Sequence, residues 1–320
     1  MVTQTDKISK SKRPQPPGAA AKRLRSVTKN YELYLFILPA AVVLFLFTYI
    51  PMYGLQIAFK DFVPAKGIWD SAWVGFKHFN TFFHSYQFWT LLKNTLSLSV
   101  YSLAASFPIP IIFALILNQM RYKRFKRVLQ TITYMPHFIS MVVIVGMIQL
   151  FLSPTSGLYA NLAQTLGWDV ENYLGSASAF PHLYVWSGVW QSTGWSSIIY
   201  LAALASVDPT FYEAATVDGA NQWHKIIYID IPSILPTAII LLIMNAGSIM
   251  SVGFEKIYLM QNPLNSATSE VIATYVYKIG IISTQYSLSA AVGMFNTIIN
   301  FILLVSVNWF SKRVSGNGLW

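Results

Sequence analysis

The chain has 320 residues, of which 54% are hydrophobic and only 11% charged, and its formal net charge is +10. Soluble domains carry about 25% charged residues, so this composition excludes a typical cytosolic enzyme, a coiled coil and a disordered chain, and it favours a membrane protein. The absence of cysteine excludes disulfides, thiolate zinc sites and redox pairs. The bases stand in short blocks between long uncharged runs, so they do not form the basic face that binds nucleic acid.

Residues 1–30 hold eight Lys and Arg and a Pro-Gln-Pro-Pro-Gly stretch, and we predict a flexible basic cytoplasmic tail there. It is not a signal peptide, because the first apolar run begins only after it and no A-x-A-like cleavage signal follows. Such a tail can contact anionic membrane lipid, and the plainer interpretation is a solvated topology signal.

Six apolar runs with few or no charges follow, each long enough for a helix of about 20 residues to cross a bilayer. Backbone groups must be satisfied inside lipid, and the alternating pattern of a membrane barrel is absent, so these runs predict helices. The predicted spans lie near 33–57, 92–117, 128–152, 183–205, 236–256 and 287–310. The fold class is therefore an all-α membrane protein with six transmembrane helices, in one membrane domain over residues 31–311 and a short cytoplasmic tail over 312–320.

Basic residues orient this bundle. Besides the first thirty residues, the segment 118–127 holds five bases and the tail holds Lys312 and Arg313, whereas the loop 153–182 holds none. The positive-inside rule therefore predicts a multi-pass protein of the cytoplasmic (inner) membrane with both termini in the cytoplasm.

The loop between the fourth and fifth spans, residues 206–235, departs from this pattern, with four acids and one strong base, Lys225. Asp208-Pro209 predicts a helix start, Asp218-Gly219 a turn and Asn221 the cap of a second helix. We expect Pro232 and Pro236 to end that second helix. The loop thus predicts a helix–turn–helix across the cytoplasmic face. A DNA reader would need bases on its second helix, and a plain connector between spans is the other interpretation.

The residues of this loop resemble a known motif. Glu213-Ala214-Ala215, Asp218-Gly219-Ala220 and Ile229-Asp230-Ile231-Pro232 follow the EAA loop of ABC importer permeases, which reads E-A-A, two residues, D-G-A and, after about nine residues, I-x-L-P. Ile231 stands where leucine is usual. In that family the two short helices dock into a cleft of the ATP-binding subunit. The resemblance implies an ATPase-coupling joint made by Glu213, Ala214, Ala215, Asp218, Gly219 and Ala220.

Other segments are similar to one carbohydrate subfamily of these permeases, which includes lipoprotein-linked polysaccharide permeases and the alginate importer. These segments are Tyr49–Gly54, Gln56–Phe62, Trp73–Phe76 and Met135–Ser140. Asn94-Thr95-Leu96, which opens the second span, resembles the start of the permease core in general. The resemblance implies passage of an oligo- or polysaccharide, with an alginate-like polymer as one such substrate. It also implies an ATP-binding subunit dimer that holds ATP and Mg, a second homologous permease and an extracytoplasmic solute-binding protein, which would meet the loops 153–182 and 258–286. No cofactor is expected in this chain.

Polar side chains within spans are costly and usually face the bundle interior, so they are candidates for a sugar path. Two tryptophans one turn apart near the outer end of the fourth span could pack on sugar rings. The candidates are Gln149, Trp186, Trp190, Gln191, Asn245, Ser248, Ser251, Asn296 and Asn300. Interhelical hydrogen bonding explains the polar ones equally, and an interfacial aromatic belt explains the tryptophans. We find no basic residue along the spans that would bind a uronate, so recognition of an acidic sugar is assigned to the binding protein.

Two other classes of function stay open. An ion-coupled secondary sugar transporter would need inverted repeats and often a buried acid, and the sequence indicates neither. A membrane enzyme acting on lipid-linked sugars would need catalytic acids such as Asp169 and Glu171 in an outer loop. The chain has no P-loop and no paired histidine spacing, so we expect neither an ATP site nor a catalytic or metal site in it.

Overall fold

The computed structural model describes residues 31–316, 318 and 319, so the predicted tail over 1–30 lies outside the described residues. The described chain is mostly helical. The helices, in chain order, are α1 (Tyr31–Phe59), α2 (Lys77–Phe83), α3 (Phe88–Ser106), α4 (Pro108–Gln119), α5 (Lys123–Phe138), α6 (Met141–Phe151), α7 (Leu158–Thr165), α8 (Phe180–Ala205), α9 (Pro209–Val217), α10 (Gln222–Ala246), α11 (Phe254–Met260), α12 (Ser266–Ser269), α13 (Ile272–Ile282) and α14 (Tyr286–Ser315). One hairpin joins β1 (Lys60–Asp61) to β2 (Ala72–Trp73).

The chain divides into two compact units, of which the first ends at Leu55 and the second begins at Gln56. In the first, α1 is regular to Leu44 and includes a π turn at Phe45–Tyr49. Over residues 31–53 its side chains are exposed on every face and, apart from Glu32 and Thr48, apolar or aromatic, as expected of a helix whose solvent is lipid.

In the second unit the hairpin is fastened to α14. Ser287 Oγ donates to Lys60 O at 2.6 Å and accepts from Phe62 N at 2.9 Å. Asp61 on β1 forms an ion pair of 2.7 Å with Lys77. The hydrogen bond from Lys77 and its positive charge hold the pKa of Asp61 below its usual value. The hairpin is thus anchored to α14 by hydrogen bonds at the start of the second unit.

The long helix α8 lies at the centre of the second unit. Its Val185 and Val189 belong to a buried cluster with residues of α3, α6 and α11, and its Tyr200 and Leu204 belong to another with residues of α4 and α10. Gly194 allows the backbone of α8 to lie directly against the carbonyl of Thr133 on α5, because a Cβ there would collide with it. The close packing on several sides makes α8 the core of this unit.

By length and composition, the described residues support four or five of the six predicted spans. Within the described residues, four helices are long and apolar enough to cross a membrane, namely Tyr31–Phe59, Phe88–Gln119, Gln222–Ala246 and Tyr286–Arg313. The predicted span 128–152 is not one straight helix, because α5 and α6 meet at a bend of 98°, and together they count as at most one more span. The predicted span 183–205 lies in α8, which has 26 residues but lower hydropathy because Ser, Thr, Gly and Trp interrupt its apolar residues.

Two boundaries near the fifth predicted span were wrong. The predicted stop at Pro232 and Pro236 does not occur, since α10 continues through both to Ala246. Pro232 stands in the first turn after a π turn at Ile226–Asp230, where its missing N–H is tolerated. The helix instead ends before residue 256, and residues 247–253 form a turn before α11. At the C-terminal end, α14 runs to Ser315, four residues past the predicted boundary at 311.

Candidate coupling loop and substrate cavity

The helix–turn–helix predicted over residues 206–235 has the predicted caps. The carboxylate of Asp208 accepts a hydrogen bond of 2.9 Å from Thr210 N at the start of α9, and this bond lowers the pKa of Asp208. Gly219 closes the turn at φ +77°, a conformation that favours glycine. The side chain of Asn221 accepts from His224 N at 2.9 Å and starts α10. The local sequence therefore dictates this part of the structure.

The residues of the predicted joint lie on the accessible side of this loop. Glu213, Ala214, Asp218 and Gly219 are exposed, and Ala215 and Ala220 are half-buried. Large apolar side chains surround them, with Val217 87%, Trp223 71% and Phe211 62% exposed. Small residues permit close approach of another surface, and an exposed apolar patch indicates a binding face.

A buried carboxylate that the motif analysis did not single out fastens this loop to the bundle. Asp230 is fully buried and accepts hydrogen bonds from Tyr212 Oη at 2.5 Å, Gln119 Nε2 at 2.7 Å and Asn118 Nδ2 at 3.3 Å. Tyr212 lies on α9, whereas Asn118 and Gln119 end α4. A buried charge needs such donors, so Asp230 joins α9, α10 and α4. The available signal was an acid between apolar residues in Ile229-Asp230-Ile231.

The phenol of Tyr212 is held in its protonated, donating form. Burial, the hydrogen bond to Asp230 and the charge of that carboxylate raise the pKa of Tyr212 to about 12. The bond between α9 and α10 is therefore formed throughout the physiological pH range.

Three adjoining cavities lie between α3, α8, α10 and the segment 247–256, with volumes of about 520, 420 and 170 Å³. They adjoin because they share lining residues. The serine hydroxyls that line them come from three parts of the chain, Ser99, Ser102 and Ser106 of α3, Ser192 and Ser196 of α8, and Ser248 and Ser251. The hydroxyls of Ser99 and Ser102 are buried without a hydrogen-bond partner among the described residues. These cavities offer hydroxyl groups of the kind that bind sugars.

Four of the nine predicted path residues line these cavities, namely Gln191, Asn245, Ser248 and Ser251. Gln191 lines the second cavity and donates to Ile139 O at 3.2 Å. Asn245 lines the first and the third, and Ser248 lines the third and donates to Asn245 O at 3.1 Å.

Four of the other five predicted path residues lie elsewhere. Gln149 donates to Leu259 O at 3.1 Å, and Trp186 Nε1 donates to Tyr101 Oη at 2.9 Å. Trp190 lines a separate, apolar cavity of about 290 Å³ with α6, and the side-chain oxygen of Asn296 is buried without a partner among the described residues.

Asn300 fits the alternative interpretation, interhelical hydrogen bonding. Its side chain accepts from Met250 N at 2.8 Å and donates to Ser251 Oγ at 2.9 Å. It thereby supports the turn at residues 247–253 from α14.

One base that was not among the predicted path residues lies at the end of the fifth predicted span, 236–256. Lys256 is only 4% exposed and lines the second cavity. Its Nζ donates to Tyr184 O at 2.7 Å and lies 4.9 Å from the centre of the Tyr184 ring. Gly188 gives the ammonium room, because a Cβ there would lie 3.2 Å from Nζ.

The two loops expected to meet a binding protein contact each other. The amides of Asn262 and Asn265 both donate to Leu174 O, at 2.7 and 3.0 Å, and Thr268 Oγ1 donates to Ala177 O at 2.6 Å. Residues from 153–182 and 258–286 therefore form one joined surface. The acids Asp169 and Glu171 are exposed in the first of these loops.

The chain is similar to known membrane components of transport systems. The family described as "Binding-protein-dependent transport system inner membrane component" matches residues 106–316. Protein LplB of Bacillus subtilis (strain 168) is 39% identical over 303 residues, which are 95% of each chain. The polygalacturonan/rhamnogalacturonan transport system permease protein YteP of the same strain is 41% identical over 302 residues, 93% of this chain and 94% of the relative.

Chains in solved structures are also similar to this chain. A chain in the crystal structure of a bacterial ABC transporter involved in the import of the acidic polysaccharide alginate matches with a TM-score of 0.85 and 39% identity, and the match covers 92% of this chain and 99% of that chain. A chain of the bacterial alginate ABC transporter in complex with an alginate pentasaccharide-bound periplasmic protein matches with the same TM-score and 38% identity.

Proposed function

Because this chain belongs to the family of inner-membrane components of binding-protein-dependent transport systems, we propose that it is a permease subunit of an ATP-driven importer for an oligo- or polysaccharide. The observation that carries this proposal is the set of hydroxyl- and amide-lined cavities between the apolar helices α3, α8 and α10. Polar side chains between apolar helices are costly and usually face the interior of the bundle, where they pair with one another or line a path, and their grouping around these cavities favours a path.

The loop that contains α9 is the coupling joint of this proposal. Its exposed small and apolar residues, including Gly219, Val217 and Trp223, would dock on an ATP-binding subunit, and that partner would hold ATP and Mg. ATP binding there would alternate the bundle between two packings that open to opposite sides. Asp230 supports this assignment, since it links α9 to α4 and α10.

The remaining parts of the proposal concern topology and partners. We assign six spans to α1, the pair α3 and α4, the bent pair α5 and α6, α8, α10 and α14, with both termini in the cytoplasm. A second homologous permease would complete the path. A solute-binding protein would deliver the saccharide to the joined surface of residues 153–182 and 258–286. The periplasmic protein bound in the alginate transporter supports this last assignment. The polysaccharides in the names of the relatives support a carbohydrate substrate.

The proposal is tested by reconstituting the chain with its ATP-binding subunit, partner permease and binding protein in liposomes. We expect entry of a labelled acidic oligosaccharide that requires ATP on the side of α9 and is unaffected by ionophores. Uptake that is driven by an ion gradient without ATP would instead establish the secondary transporter. A complex that assembles no ATPase in mild detergent would contradict the coupling assignment.

A further inference from the structure

We propose that Lys256 is a fixed cation in the wall of the substrate cavity, where its ammonium binds the carboxylate of an anionic saccharide and makes the path selective for uronate-containing sugars. This inference rests on the proposed function and names the chemical class of its substrate. It also places part of the recognition of an acidic sugar in the permease itself, rather than in the binding protein alone.

The position of the ammonium is the first argument. Lys256 lines a cavity of about 420 Å³, within the range of about 300–1,000 Å³ that is usual for ligand pockets. Its stem is buried, and Nζ is held by the carbonyl of Tyr184 and by the face of the same ring. The cation therefore has a defined position and does not reach out to solvent as most lysines do.

The charge of Lys256 is not neutralised by the described part of the chain. Its Nζ forms no ion pair with a described carboxylate, and Glu255, which lines the same cavity, is exposed. An ammonium has three donors, and one hydrogen bond of Nζ is present. A buried charge without a counter-ion is unfavourable, so a carboxylate entering the cavity would both pair the charge and use the spare donors.

The surroundings suit a sugar acid better than a small inorganic anion. Gln191 and Ser192 line the same cavity and offer groups for sugar hydroxyls, and Tyr184 presents an aromatic ring. Ser102, also in its wall, has a buried hydroxyl without a partner among the described residues. Apart from the exposed Glu255, the other polar side chains that line this cavity with Lys256 are neutral, and one cation beside such groups matches a ring that carries one carboxylate and several hydroxyls.

A purely structural role is the competing explanation. The bond from Lys256 to Tyr184 O ties α11 to α8, and its loss would loosen the bundle for every substrate. The two roles differ in what they predict for acidic and neutral sugars of the same backbone.

The test uses the reconstituted full complex and matched oligosaccharides, namely trigalacturonate and its carboxyl-reduced counterpart, with an alginate trisaccharide pair run in parallel. Uptake by Lys256→Gln and Lys256→Arg is divided by wild-type uptake of the same sugar with the same binding protein, so that the preference of the binding protein cancels. Membrane insertion and co-purification of the ATPase check that each variant folds.

For Lys256→Gln we expect uptake of the acidic sugars to fall about tenfold or more, as is usual on loss of a charge-assisted hydrogen bond, with uptake of the neutral counterparts changed less than about twofold. Lys256→Arg should retain most of the acidic uptake. Equal losses for both sugars, no loss in Lys256→Gln, or wild-type uptake of the neutral sugar alone would each overturn the inference and leave the importer intact. Failure of the wild-type complex to import any of these sugars with ATP would count against the proposed function itself.

Discussion

The stability that Asp230 gives to the candidate coupling loop can be measured. In Asp230→Ala, three hydrogen bonds to one buried carboxylate are lost, those from Tyr212, Gln119 and Asn118. A bond to a charged group contributes about 1.5–3 kcal/mol, but the three donors are half-buried and partly recover bonds to water. We therefore expect the free energy of local unfolding of residues 209–230, which breaks all three bonds, to fall by about 3 kcal/mol, which is about a 150-fold rise in the open, locally unfolded population.

The assay is limited proteolysis of the reconstituted subunit, with cleavage followed at the turn between α9 and α10. When opening is fast relative to cleavage, the cleavage rate follows the open population. Tyr212→Phe removes one of the three bonds and should raise the rate about tenfold. In the Asp230→Ala background the same change should add almost nothing, because the partner is gone.

The matched control is Tyr228→Phe, since Tyr228 is 74% exposed and should leave the cleavage rate unchanged. The reasoning is refuted if Asp230→Ala alters cleavage less than about threefold, or if the effects of Asp230→Ala and Tyr212→Phe simply add.

Three further changes have defined outcomes. Gly219→Val places a β-branched residue at φ +77° and bulk on the docking face, so ATP-driven uptake should be lost while membrane insertion persists, and Gly219→Asn should retain more activity; unchanged uptake would contradict the coupling role. Asp208→Ala should destabilise α9, because the acceptor for Thr210 N is lost, and hydrogen exchange of its first turn should become faster. Because the folded pKa of Asp208 lies below 3.8, the stabilisation it gives wild type is present above that value and is lost as the pH falls through the folded pKa. Asn300→Ala leaves Met250 N without its partner and should lower thermal stability, whereas Asn300→Asp, which retains the acceptor, should lower it less.

Features set by neighbouring residues in the sequence were predictable. The caps at Asp208 and Asn221 depend on side chains within three residues of the backbone groups they serve, and the turn at Gly219 depends on a residue that tolerates positive φ. The apolar runs identified the long helices because length and composition decide whether a helix suits a bilayer.

Features set by contacts between distant segments were not predictable. The bend between α5 and α6 lies within a continuous apolar run, and hydropathy does not report direction. The hydrogen bond between Gln119 and Asp230 joins residues more than 100 positions apart, and Lys256 contacts a carbonyl 72 positions away. The polar or aromatic character of each of the nine predicted path residues was visible in the sequence, but not which of them share a cavity.

The continuity of α10 has a geometrical consequence. The same helix begins at the exposed loop, where Trp223 lies, and reaches the cavity wall at Asn245. From Asp230 to Asn245 the axis measures about 22 Å at 1.5 Å per residue. Because hydrogen bonds hold α10 in place at Asp230, a tilt of this helix by about 10° about that point would move Asn245 sideways by about 4 Å, more than a hydrogen-bond length. A small rotation of α10 near the loop therefore produces a larger displacement of the cavity wall. The π turn at Ile226–Asp230 lies at the point about which the helix would tilt.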